Sequence, residues 1–266
     1  MRPLAPVLAV IVVLGLCFVA SADDAESAES GKTGVVLLHG QNGSPDSRIF
    51  EPLAEAFQDN DILFSLPEIP WPKGRFLDRD IDGAVAEIDH AVQALRNKGA
   101  SRVVIAGHSI GANFALYYAT KREGLLGVMA IAAGHPVELR GYQRRMKFDY
   151  RRARELVTAG KGDEAYSFND INQGRTDTFS VKAKFYLSYY DAEGALVMPR
   201  NVGALKSGMP LLWIIGDGDR MYRRGESYAY SNAPPHPKNK YAVVDGGQID
   251  VLETGVDVIV GWVKGL

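Results

Sequence analysis

Apolar residues in this chain gather in short continuous runs that end at glycines, and between the runs they recur at helical spacing. Residues 34–40, GVVLLHG, are the first such run, the pattern of a strand buried on both faces of a parallel sheet. A helix is expected from Pro45, with Ile49, Leu53 and Phe57 four residues apart on one face. DILFSLPEIPW supplies the next strand, and its prolines stop it. The clearest helix follows, with Ile81, Val85, Ile88, Val92 and Leu95 at spacings of 4, 3, 4 and 3 before Gly99. RVVIAGHSIG is a strand running into a glycine-flanked turn, and ANFALYYATK continues as a helix. LLGVMAIAAG, PLLWIIGDGD and KYAVVDGG are further strands, the last followed by a helix through Val251 to Val263. This alternation predicts an α/β fold with a doubly wound, mostly parallel sheet.

One stretch interrupts it. Between Gly134 and Pro210 about 75 residues carry no obvious buried strand, too many for a simple crossover. An inserted cap, about residues 135–209, is expected there, built as a subdomain or a set of extra helices. Its first part, RGYQRRMKFDYRRAR, holds seven basic residues and one acid, Asp149. A solvated helix face is the preferred account of these cations. A cationic rim for an anionic substrate, or for contact with a membrane surface, is the sharper alternative and is not favoured. FYLSYY, residues 185–190, reads as cap core or as pocket lining.

The first residues follow a different pattern. Arg2 precedes the apolar stretch 7–20, and Ala20-Ser21-Ala22 is the small-x-small pattern that a signal peptidase cleaves. Fourteen apolar residues fall short of the ~20 that span a bilayer. Residues 1–22 are therefore expected to be a cleaved signal peptide, 23–33 a flexible acidic leader, and 34–266 the folded domain of a secreted or periplasmic protein. Cys17, the only cysteine, lies within the signal, so the mature chain has no disulfides and no thiol chemistry.

Composition narrows the function. A chain of 266 residues with 46% apolar content fits one α/β domain with a sizeable core. The formal charge of −2 argues against nucleic-acid binding. No GxGxxG follows the first strand, which argues against a dinucleotide cofactor. GDGD, residues 216–219, lacks the further ligands of a metal loop. No cofactor and no metal is expected.

Candidate chemistry lies at the strand ends. GHSIG matches GxSxG between a β-branched strand and an apolar helix. Such a turn lifts Ser109 Oγ clear of the sheet, while the helix N-terminus offers the N–H of Ile110 to a developing oxyanion. In LLHGQNG, the backbone N–H of Gln41 is the expected second donor, with His39 holding the loop.

On these motifs the chain resembles the α/β-hydrolase superfamily from about Gly34 to Leu266. The resemblance implies a Ser109 acyl-enzyme acting on an ester, thioester, lactone or related small acyl substrate. It also implies an orienting acid after a late strand, Asp219 by the GxxD spacing with Asp217 as fallback, and a histidine after the last strand. That last position is Gln248, in VVDGGQID.

A glutamine amide does not take the serine proton near neutral pH. Loss of a triad histidine costs on the order of 10⁶ in kcat, about 8 kcal/mol. Among the other histidines, His39 and His108 belong to the two loops, and His90 sits on an outer helix. His135 follows a strand toward the site, and His236 precedes the last strand at the opposite edge; neither is a good replacement. Two classes of function remain: a serine hydrolase with another base, and an impaired hydrolase-fold protein that binds a ligand or partner in the same pocket.

Overall fold

The computed structural model describes residues 31–71 and 74–266. The expected signal peptide and most of the leader lie outside the described residues. Strand β1 (Lys32–Leu38) begins two residues ahead of the apolar run, where Lys32 pairs in register with Ala100 and its ammonium meets Asp61. Beyond it come α1 (Glu51–Asp59), β2 (Leu63–Ser65), α2 (Ile81–Asn97), β3 (Ala100–His108), α3 (Ile110–Lys121) and β4 (Leu125–Ile131). After the long insertion the core resumes with β7 (Leu211–Gly216), β8 (Lys240–Val244), α7 (Val251–Thr254) and α8 (Val256–Lys264).

Six strands form one sheet in the order β2-β1-β3-β4-β7-β8, every pairing parallel. Side-chain alternation sends the two faces of each strand into separate cores. Val36, Leu38, Val103 and Ile105 pack with α2 and α3, whereas Val35, Leu37, Val104 and Ala106 pack with α1 and α8. Both faces are covered, which is why the strands read as unbroken apolar runs. Chain order reverses direction between β1 and β3, and the crevice outside their carboxyl ends is where such sheets place ligands.

Two expected helices differ in detail. The helix from Pro45 starts as a single 3-10 turn, Arg48–Phe50, before α1. The C-terminal helix breaks at Gly255, where a side chain would press on Val251 O and Ile214. Helix α2 begins where expected because Asp80 Oδ1 accepts the N–H of Gly83 at 2.9 Å.

The segment between β4 and β7 is not purely helical. It holds α4 (Arg140–Thr158), the antiparallel strands β5 (Ala165–Asn172) and β6 (Arg175–Lys182), α5 (Ala183–Tyr190) and α6 (Met198–Gly203). Gln173 and Gly174 both have positive φ, 49° and 78°, the geometry of a two-residue hairpin turn. The hairpin escaped the sequence pattern because one inward position, Asp170, is a carboxylate and breaks the apolar alternation. FYLSYY is the core of this segment. Phe168, Tyr186 and Tyr190 stack at 4.3 and 4.2 Å between ring centres, with Tyr142 of α4 parallel to Tyr190 at 6.4 Å.

Candidate active site

Ser109 sits between β3 and α3 with φ 57° and ψ −122°, a conformation that a residue with a side chain adopts only under constraint. The constraint is close packing on both sides. A Cβ at Gly107 would overlap the carbonyl of Gly111, and a Cβ at Gly111 would overlap that of Leu38. The serine N–H bonds to Ile131 O at 3.1 Å and its carbonyl accepts Gly134 N–H at 3.0 Å, so the turn is pinned to the end of β4. A side chain at Gly134 would lie 2.9 Å from Ser109 Oγ. Glycine there keeps the space beside the hydroxyl open.

Ser109, Gln41, Ile110, Asp219 and Gln248 line one cavity of about 510 Å³. All five residues singled out in the sequence are therefore brought together. Ile110 is the first residue of α3, so its N–H has no partner within the helix. The N–H of Gln41 likewise donates to no group among the described residues. The loop carrying Gln41 is held by Trp71 Nε1, which donates to His39 O at 2.8 Å. His39 is fully buried, and its Nδ1–H bonds to Gly40 O at 2.9 Å. Burial lowers its pKa and keeps the ring neutral.

Asp219 follows β7 and is 6% exposed. Its Oδ1 accepts Met221 N–H at 2.6 Å, while Oδ2 is buried without a hydrogen-bond partner. Desolvation raises its pKa, and the Met221 N–H opposes that rise. Asp217 is exposed and is spent on a loop contact, its carboxylate accepting Gly246 N–H at 3.0 Å.

Gln248 Nε2 donates to Ser109 Oγ at 3.3 Å. It makes no hydrogen bond to Asp219, so the amide meets the serine and leaves the acid's second oxygen unpaired. No histidine among the described residues bonds to Ser109 Oγ. His108 turns away and donates through Nε2 to the carbonyl of Gln248 at 2.8 Å. His135 lines the cavity, but Nε2 faces Tyr189 O at 2.8 Å and Nδ1 faces the Tyr142 hydroxyl at 3.2 Å.

A buried network behind the cavity was not visible in the sequence. Asp170 of the hairpin is fully buried and accepts from Gln41 Nε2 and, at 3.3 Å, from the Tyr142 hydroxyl. It ties the inserted segment to the Gln41 loop. The only sequence trace is a lone carboxylate among Phe168 and Ile171. Among the described residues no group of three or more His, Cys, Asp or Glu is placed to hold a metal, and no helix is long and apolar enough to cross a membrane.

A model described as the alpha/beta hydrolase family matches residues 35–258. The chain belongs to that family. A thermostable monoacylglycerol lipase of Bacillus sp. (strain H-257) is 28% identical over 109 residues, which cover 40% of this chain and 42% of the lipase. The match thus spans less than half the length of that relative. Among solved structures, a metagenome-derived lipolytic enzyme superposes with a TM-score of 0.61 at 15% identity, covering 89% of this chain and 95% of its own. A thermostable carboxyl esterase of Bacillus coagulans, bound to glycerol, gives 0.62 at 13% identity over 90% and 91%. At such identities the likeness is one of fold. The family membership agrees with the order of strands and with the serine at the end of β3.

Proposed function

We propose that this protein is a serine hydrolase of acyl bonds, acting on an ester, thioester, lactone or related small substrate through a Ser109 acyl-enzyme, with turnover limited by Gln248. The observation that carries this reading is the strained turn at Ser109, held with the unpaired N–H groups of Gln41 and Ile110 beside one cavity. Strain at a residue with a side chain is maintained only where surrounding packing enforces it, and such sites are typically functional. The esterase and lipase relatives point to the same substrate class.

In this reading Ser109 Oγ attacks the acyl carbon, and the two N–H groups receive the developing negative charge. Asp219 is the orienting acid, and its unpartnered Oδ2 is the acceptor for a ring N–H that this chain does not provide. Gln248 holds the serine hydroxyl but does not accept its proton in either orientation of the amide. The nucleophile therefore has binding and oxyanion stabilisation without a general base. Donors of this kind leave about 10³ to 10⁴ over the uncatalysed rate.

The Gln248 to Ser109 bond also favours a second reading, in which the pocket binds an acyl ligand and does not turn it over. Labelling with a fluorophosphonate separates the two. Slow labelling and ester cleavage that vanish in Ser109→Ala support the hydrolase. Absence of both, in protein that still binds product-like acids, supports the binding protein. The N-terminal pattern further supports export, which N-terminal sequencing of the protein recovered from its host would test by a start at Asp23.

A further inference from the structure

We infer that the acyl compound taken by this cavity carries an anionic oxygen group, a carboxylate or a phosphate, remote from the scissile bond and seated among arginines at the cavity wall. The inference rests on the hydrolase reading for the identity of the reacting end, but the anion site is argued separately.

Four arginines line the cavity that contains Ser109: Arg144 and Arg145 from α4, and Arg220 and Arg224 from the loop after β7. The carboxylate that lines it with them is Asp219, buried at the foot of the site. All four arginines are exposed, and none forms an ion pair among the described residues. What sets these four apart is their place: they line the same cavity as Ser109.

Two of the four converge on a single residue. Arg145 Nη2 donates to Gly174 O at 3.3 Å, and the Arg220 guanidinium occupies the space that a Cβ of Gly174 would fill. Like charges drawn to one hairpin turn repel unless an anion lies between or beside them. Glycine at the turn admits the Arg220 guanidinium, and the carbonyl uses only one of the N–H groups of Arg145. Both arginines line the cavity that Ser109 lines. Planar guanidinium forks match the paired oxygens of carboxylates and phosphates better than they match a neutral ester.

Nearby acids do not neutralise the wall. Asp170 lies fully buried with Gln41 and Tyr142 as its donors. Glu138 lies near enough to Arg224 to feel its charge, yet it is held by the Tyr228 hydroxyl and burial raises its pKa. Four guanidinium groups and one carboxylate line the cavity, an excess of positive groups in a chain whose overall charge is −2. A local excess of one sign against the balance of the whole molecule acts on a ligand and on its rate of arrival.

Equilibrium binding to the Ser109→Ala protein tests the site without requiring turnover. The probes are two matched pairs, monomethyl adipate against dimethyl adipate, and hexyl phosphate against 1-hexanol, titrated by calorimetry at low and high salt. One anionic probe or the other is expected to bind about tenfold or more tighter than its neutral partner at low salt, the preference shrinking as salt screens it. In Arg145→Gln/Arg220→Gln that preference is expected to fall to about twofold, while Arg145→Lys/Arg220→Lys keeps part of it. Circular dichroism of both double variants excludes loss of fold as the cause. Equal affinity for charged and neutral probes in both pairs overturns the proposal, as does a preference that survives Arg145→Gln/Arg220→Gln. Because labelling at Ser109 is read in a separate assay, an anion preference without labelling sinks only the hydrolase reading. Labelling without an anion preference sinks only this one.

Discussion

The ring of His108 donates from Nε2 to the backbone carbonyl of Gln248 at 2.8 Å, so the residue preceding the candidate nucleophile anchors the loop that carries the glutamine. The bond spans β3 and the loop after β8, strands separated by β4 and β7 in the sheet. Its Nδ1 is buried without a partner, so a proton there would be unsolvated and the ring is neutral. Burial lowers the His108 pKa to about 4.

This relationship sets an acid limb of stability. Below its usual pKa of 6.5 the unfolded chain protonates His108 while the folded chain does not, until the pH nears 4. The unfolded state therefore binds more protons across that window, and stability falls as pH drops through it, by up to about 3 kcal/mol. Above 6.5 the effect is absent. Urea denaturation from pH 4 to 8 should show this slope, and His108→Gln should reduce it, leaving the part due to His39 and His135, whose pKa burial also lowers, while lowering stability at neutral pH through loss of the anchor.

Replacing Gln248 with histidine should raise ester turnover by at least about 10²-fold. An imidazole at this position takes the place of the amide that meets the Ser109 hydroxyl, in a cavity also lined by Asp219, whose Oδ2 is unpaired. General-base catalysis of this kind contributes about 10² to 10⁴-fold. Activity of Gln248→His should increase with pH through the range where imidazole loses its proton, near 6.5. The unmodified chain should lack that limb, and a pH profile of kcat/KM for both proteins reads the difference directly.

The backbone of Ser109 predicts a trade between site and stability. With φ at 57° and ψ at −122°, the position costs about 1–3 kcal/mol for a residue with a Cβ. Ser109→Gly relieves it at up to about 1 kcal/mol of added unfolded-state freedom. Thermal unfolding should show a net gain of about 1 kcal/mol in Ser109→Gly and none in Ser109→Ala, with both variants silent to the fluorophosphonate.

Asp170 should matter more to folding than its place in a surface hairpin implies. Asp170→Ala leaves the Gln41 amide without its acceptor and the Tyr142 hydroxyl with only His135 Nδ1. A stranded buried donor costs about 1–3 kcal/mol, so a loss of about 1–3 kcal/mol is expected in chemical denaturation. Labelling of Ser109 should slow in the same variant, because the Gln41 loop loses its tie to the inserted segment.

Much of this site was legible in the sequence for a local reason. GHSIG places a strand, a tight turn and a helix in adjacent residues, and HGQNG ends a strand in a glycine-rich loop, so both sites announce themselves over a few residues. The position of Gln248 followed from the strand KYAVV and the glycines after it, since chain order in a parallel sheet fixes which loops open at the same edge. The arginines of the cavity wall were different. Arg145 lay in a run that read as a solvated helix face, and Arg220 was one residue past the favoured acid, with nothing in either neighbourhood to join them.

What the sequence determined by itself was the fold and the placing of Ser109 and Gln248 in loops after strands, because hydrophobic period and turn chemistry act over a few residues. Only the tertiary structure decided that Asp219 Oδ2 stays unpaired, that Asp170 reaches the Gln41 loop, and that arginines from α4 and the β7 loop line one cavity with Ser109. Those contacts join side chains far apart in the chain, where no local pattern constrains which groups meet and only the packed geometry brings them within reach.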